Sequence, residues 1–100
     1  MLAMVNLRRH NARMNLIDAI VSDAADIAAI RRDLHAHPEL CFEEVRTADV
    51  VAARLTAWGI PIHRGLGTTG VVGIIQAGTS QRAIALRADM DALPMQEYNT

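Results

Sequence analysis

Arg82-Ala83-Ile84-Ala85-Leu86-Arg87-Ala88-Asp89-Met90-Asp91-Ala92-Leu93-Pro94-Met95 begins as a strand and ends in two carboxylates and a proline. Side chains along a strand alternate between faces. Ile84, Leu86, Ala88 and Met90 therefore share one face, and Ala83, Ala85, Arg87, Asp89 and Asp91 share the other. Pro94 cannot donate to a ladder, so the strand stops before it. The acids thus arrive at a strand end, where α/β folds commonly project functional groups. As residues i and i+2 of one face they stand roughly 7 Å apart. Two roles fit that placement. Asp89 and Asp91 bind a metal or orient a metal-bound histidine. Alternatively, Arg87 pairs with Asp89 and an Asp turn precedes Leu93-Pro94. The residues alone leave both readings open.

Upstream of this strand, Val71-Val72-Gly73-Ile74-Ile75 is apolar on both faces and predicts a central, covered strand. A loop from Ala77 to Gln81 around Gly78 joins the two, and so short a connection predicts an antiparallel hairpin. Ile60 to His63 reads as a third short strand. Between it and Val71 lies Gly65-Leu66-Gly67-Thr68-Thr69-Gly70, a literal G-x-G-x-x-G. A dinucleotide site needs a helix after that motif to receive the pyrophosphate. A strand sequence follows instead, so the motif reads as a glycine-rich strand connection.

Two helices precede the strands. Glu43 and Glu44 suit the positive end of a helix dipole, and Val45, Ala48, Val51, Ala52, Leu55 and Trp58 form its apolar stripe. Gly59 fits the position just past the helix end, with Pro61 beyond it. The other helix has Asn15 as N-cap and a stripe of Leu16, Ile20, Ala24, Ile27, Ile30 and Leu34. It ends near His37, because Pro38 disfavours the helical conformation before it. Residues 1–14 carry Arg8, Arg9, His10 and Arg13 and no acid, and read as a disordered basic leader; Met14 is an alternative start to Met1. The expected fold is α/β in the order α-α-β-β-β, and it is incomplete. No helix follows Pro94 to cover the far face of the sheet.

Composition narrows the function classes. The chain has 100 residues, 51% of them hydrophobic, and a formal net charge of −1. That charge gives no general case for nucleic acid or an anionic membrane as partner. No apolar run approaches the ~20 residues of a membrane span. A single Cys41 excludes an internal disulfide and fits a reducing, cytoplasmic location. As a lone thiol, Cys41 reads as a small buried hydrophobe. His35 and His37 are two residues apart at a helix end, which points their rings in different directions and favours capping over metal binding.

Arg32-Asp33-Leu34-His35-Ala36-His37-Pro38-Glu39-Leu40, then Phe42-Glu43-Glu44 and Thr47, resembles the N-terminal signature of the bacterial and plant metallo-amidohydrolases. These include hippurate hydrolase, N-acyl-amino-acid amidohydrolases and indole-acetyl-amino-acid hydrolases, within the dinuclear-metal aminoacylase and carboxypeptidase superfamily. Gly67 to Gly73 is similar to the family's next block, and Leu86 to Glu97 to its third. Cys41 stands where the family usually has glycine or another small residue. The resemblance covers roughly Leu16 to Thr100. It implies residues 15–100 as the N-terminal portion of a mixed-sheet catalytic domain of the dinuclear-metal aminopeptidase-like type, in a much longer, homo-oligomeric enzyme.

The implied activity is hydrolysis of the amide bond of N-acyl amino acids by two divalent ions, with manganese, zinc, nickel and cobalt not distinguished. In the wider superfamily the third block reads His-x-Asp, with the His as ligand and the Asp orienting it. Here those positions are Asp89 and Asp91. The amidohydrolase branch takes its ligands from a Cys-x-His element, a Glu-Glu pair and two later histidines, none of which occurs before Thr100. The resemblance therefore implies Asp91 as a residue behind the ligands, Asp89 less directly, and no metal ligand in this chain. Glu43 and Glu44 are scaffold. The chain alone is expected to be an inactive truncated piece that binds metal poorly. The competing reading is a non-enzymatic α/β module that binds a protein partner through its open sheet.

Overall fold

A computed structural model describes residues 2–4, 16–96 and 98. The chain divides into two compact units, residues 8–38 and residues 1–7 with 39–100.

The first unit contains α1, Leu16–Ala36. It ends one residue before His37, as Pro38 requires. None of its residues is buried, and Leu16, Ile20 and Ile27 of the apolar stripe are exposed. The expected N-cap, Asn15, lies outside the described residues.

The second unit is a four-stranded mixed sheet with one helix. The strands are β1 (Leu2–Met4), β2 (Ile62–Leu66), β3 (Gly70–Ile74) and β4 (Ala85–Arg87), in spatial order β2-β3-β1-β4. β2 and β3 form an antiparallel hairpin, β1 runs parallel to β3, and β4 is antiparallel to β1.

Two expectations change here. Leu2–Met4 is a strand, although the leader reading assigned no structure to it; Leu2, Ala3 and Met4 are apolar, and the basic residues begin only at Arg8. The described order is therefore β-α-α-β-β-β. In addition, β3 and β4 are not hydrogen-bonded neighbours, because β1 lies between them. Their antiparallel sense is as expected, but the connection over residues 75–84 is long enough for another strand to enter.

The helix of this unit, α2 (Val45–Ala57), shows why its sequence stops where it does. Gly59 has φ +73, a conformation that costs a residue with a Cβ. Its N–H donates to the Thr56 carbonyl at 2.9 Å, and the Ile60 N–H donates to the Leu55 carbonyl at 2.9 Å. This pair of bonds is a Schellman motif, which brings the residues it links into apolar contact. Leu55 and Ile60 accordingly converge on β3: a Cβ added to Gly73 would lie 3.2 Å from a methyl of each. Glycine at 73 lets the helix end approach the sheet closely.

The core is small. Ala48, Ala52, Leu55 and Val71 are its buried apolar residues, with Val51, Ile60, Ile62 and Met90 packed around them. Val45 and Trp58, at the ends of the expected α2 stripe, are exposed. The stripe turns toward the sheet only over its middle. β3 is central, with a strand on either side, but only Val71 and Gly73 on one of its faces are buried. The double-sided cover that its sequence suggested is absent among the described residues.

The glycine-rich motif is a strand connection, as expected. β3 follows it directly, so no helix N-terminus is available for a phosphate. Gly65 is an extra residue in the ladder, since Arg64 pairs with Val71 and Leu66 with Gly70.

Candidate functional site

The site lies within the second unit and is built around residues 39–44 and the chain after β4. Glu39 is its anchor. Its Oε2 accepts from the Arg46 N–H at 2.9 Å, and its Oε1 accepts from both the N–H and the hydroxyl of Thr47 at 2.6 Å. The first N–H groups of a helix have no partners within the helix. Glu39 supplies them with a carboxylate where the helix dipole favours negative charge. The residue at the ordinary capping position, Glu44, makes no side-chain cap.

Glu44 is used differently. It is 6% exposed, and its Oε2 accepts the Thr69 hydroxyl at 2.6 Å. A buried carboxylate needs such a partner. This bond ties the start of α2 to the β2–β3 turn, where Thr68 has φ +79. The two glutamates are scaffold elements with distinct tasks: Glu39 holds the helix end and Glu44 holds the hairpin.

The other wall is the strand end. The Ala92 N–H donates to the Glu39 carbonyl at 2.8 Å. Met90 packs on the core, so Asp91 sits between two fixed neighbours and is itself exposed. Asp89 is also exposed and pairs with Arg87, whose Nε lies 3.1 Å and whose guanidinium NH2 group lies 2.9 Å from Asp89 Oδ1. An exposed pair of this kind contributes about 0–1 kcal/mol. Asp89 thus adopts the salt-bridge role. β4 ends at Arg87, so Asp89 and Asp91 follow the strand and do not extend it.

Cys41 lies in the same region. It is exposed, which corrects the buried-hydrophobe reading. Desolvation of its sulfur, then the charges of Asp91, Glu44 and Asp89, push its thiol above the ordinary value; the Phe42 N–H partly offsets this. A nucleophilic cysteine needs the opposite shift. Phe42 has φ +66, a strained conformation for a bulky residue, in a turn closed by the Glu43 N–H donating to the Leu40 carbonyl at 2.9 Å.

In the unit of residues 8–38, His37 Nδ1 lies 2.8 Å from the Asp33 carbonyl oxygen and can donate to it. His37 therefore closes the helix end, as the capping reading expected. Among the described residues no three of His, Cys, Asp and Glu form a group that could hold a metal ion. Nor do the described carboxylates at the strand end make up a metal centre by themselves, since Asp89 is engaged by an arginine.

Glu39 as an anchor was not legible in the sequence, because it caps a helix from outside the helix. Its carboxyl is held below the ordinary value, first by the Thr47 hydroxyl; partial burial opposes this, and the N–H groups of Thr47, Arg46 and Val45 reinforce it. A depressed carboxyl stabilises the fold above its unfolded pKa, and that contribution is lost as pH falls through the folded value. Glu39→Gln should therefore be less stable than the wild type at pH 6. The gap should close on acidification toward pH 3, followed by thermal melts of both proteins. A gap that stays constant across this range would remove the charge from the account.

Sequence comparison places these residues in context. The chain is 46% identical over 84 residues to hippurate hydrolase of Campylobacter jejuni, covering 84% of this chain and 22% of that protein. It is 44% identical over 88 residues to an N-acyl-L-amino acid amidohydrolase of Geobacillus stearothermophilus, 85% of this chain and 22% of that one. An IAA-amino acid hydrolase of Arabidopsis thaliana is 44% identical over 71 residues, 71% of this chain and 16% of the plant protein. The chain thus spans about a fifth of the length of these relatives. No protein-family profile matches, and no solved structure matches. With this identity sustained across most of its length, the chain belongs to the amidohydrolase family of hippurate hydrolase, N-acyl-amino-acid amidohydrolase and IAA-amino acid hydrolase.

Proposed function

We propose that this chain supplies one wall of the catalytic domain of a metal-dependent hydrolase of N-acyl amino acids, of the dinuclear-metal aminopeptidase-like type. The observation that carries the reading is the 46% identity to hippurate hydrolase over 84 residues. In this reading Asp91 steadies ligands that lie outside the 100 residues, and Asp89 serves its arginine. The divalent ions that the family implies are held by those other residues, because the described ones do not fit them. The substrate is a small N-acyl amino acid and the whole enzyme is a cytoplasmic homo-oligomer. No helix among the described residues is long and apolar enough to cross a membrane.

Two measurements test this. The chain alone, loaded with manganese or zinc, should show no hydrolysis of hippurate. A chimera in which it replaces the matched 84 residues of the Campylobacter jejuni enzyme should hydrolyse hippurate. Turnover by the isolated chain, or a chimera that folds and binds metal without turning over, would overturn the reading.

A second reading, a non-enzymatic partner-binding module, draws on the exposed Ile84, Leu86, Leu93 and Met95. Large apolar side chains left exposed near a sheet suit an interaction surface. A monomer at all concentrations in sedimentation, with no self-association, would count against it.

A further inference from the structure

Glu39 touches two separate parts of the site with two separate groups. Its side chain takes three hydrogen bonds from Arg46 and Thr47 at the start of α2. Its main-chain carbonyl takes the Ala92 N–H at 2.8 Å. The first grip is strong, because a carboxylate accepting several N–H and O–H donors is a charge-assisted arrangement. The second is a single neutral bond, but it falls next to Asp91. On the other side of Asp91, Met90 is packed against the core of Ala48, Ala52, Leu55 and Val71. The backbone of Asp91 is therefore held from both sides, although no regular strand continues past Arg87.

We propose that Glu39 is a positioning residue for Asp91: its carboxylate locks residues 39–44 onto α2, and its carbonyl, fixed by that lock, holds Ala92 and so sets the Asp91 backbone. The importance of Asp91 rests on the amidohydrolase reading, but the coupling between Glu39 and Ala92 does not. Phe42 fits the same account. A strained φ of +66 persists only where its surroundings over-determine it, and the lock on α2 supplies that constraint three residues away.

Amide hydrogen exchange on the whole chain tests the coupling. The probes are the Ala92 amide and, as internal control, the Ile74 amide, which donates to the Pro61 carbonyl at 3.0 Å just before β2 begins. Glu39→Ala should speed exchange at Ala92 by about tenfold, the scale of one lost hydrogen bond, and leave Ile74 nearly unchanged. Thr47→Val keeps the backbone donors and removes the hydroxyl, so it should give a smaller acceleration at Ala92 alone. Glu39→Gln should fall between the wild type and Glu39→Ala. Equal acceleration at Ala92 and Ile74 in all three variants would mean a general loss of stability and would overturn the proposal. So would an Ala92 amide that responds to none of them. Should Glu39→Ala fail to fold, Thr47→Val and Glu39→Gln still decide the matter. The exchange readout needs no turnover, so it stands or falls apart from the chimera assay.

Discussion

Leu55→Ala should shift the unfolding of the sheet unit strongly to lower denaturant or abolish its cooperativity. Leu55 is 6% exposed, and its methyl groups, like one of Ile60, lie over Gly73 at the point where α2 ends on β3. Truncating a buried leucine costs about 2–5 kcal/mol, the larger values arising where the site cannot collapse. Collapse is poor here. The other buried apolar residues are Ala48, Ala52 and Val71, and two of these are already as small as the replacement. A domain is stable by only about 5–15 kcal/mol, and a core with so few large side chains belongs at the low end or below it. Urea titration followed by circular dichroism should show the transition shifted strongly to lower denaturant or replaced by a broad slope. Val45→Ala is the control. Val45 lies on the same helix and is 63% exposed, so its loss should change stability by no more than about 0.5 kcal/mol. If the two variants unfold alike, Leu55 does not hold the unit together.

The contrast between Leu55 and Val45 also shows which parts of the chain its sequence makes legible. α2 could be read because local rules fix both of its ends: glycine at 59 supplies the left-handed residue, and the apolar spacing from Ala48 to Leu55 selects one face. The same spacing runs on to Val45 and Trp58, but helix periodicity carries no information about how far the facing sheet extends. Strand neighbours were less legible for a related reason. The polarity of Val71 to Ile75 and of Ala85 to Arg87 identifies strands, yet nothing local says that Leu2–Met4 enters between them. Pairing across such a distance in sequence is a property of the assembled sheet.

The candidate site was half legible. Asp89 and Asp91 stand out as acids at a strand end, and the alternative role for Asp89, a pair with Arg87, was already written in their i, i+2 spacing. Glu39 could not be found in the same way. Capping motifs are recognised by a fixed offset between the cap and the first turn. Glu39 reaches Thr47 across the turn containing Phe42, and only the folded turn brings them together. Its neighbour Glu44, which occupies the ordinary cap position, turns inward to Thr69 instead. Sequence proximity favoured the wrong glutamate for the helix end.

The β2–β3 hairpin carries the other large expected effect. A Cβ on Gly70 would be driven into the Leu66 carbonyl oxygen and lie 3.2 Å from its carbonyl carbon. The obstacle is backbone, held by the register that pairs Leu66 with Gly70, so no side-chain rotation relieves it. Gly70→Ala must therefore shift the turn itself. Forced backbone movement of this kind costs about 1–3 kcal/mol and occasionally more. The damage should spread, because the Thr69 hydroxyl next to it satisfies the buried Glu44 carboxylate. Displacing that hydroxyl leaves the buried Glu44 carboxyl without that partner, which adds a further penalty of about 1–3 kcal/mol. Gly65 separates steric from conformational cost in the same hairpin. A Cβ there meets nothing within 4 Å, but its φ is +89. Gly65→Ala should be destabilising through backbone strain of about 1–2 kcal/mol, and Gly65→Asn less so, since asparagine tolerates the left-handed region. Gly70→Asn should show no such relief. Thermal melts of Gly70→Ala, Gly70→Asn, Gly65→Ala and Gly65→Asn would read the difference directly. Equal rescue by asparagine at both positions would mean that Gly70 is required for its conformation and that the close approach of Leu66 to Gly70 does not constrain the hairpin.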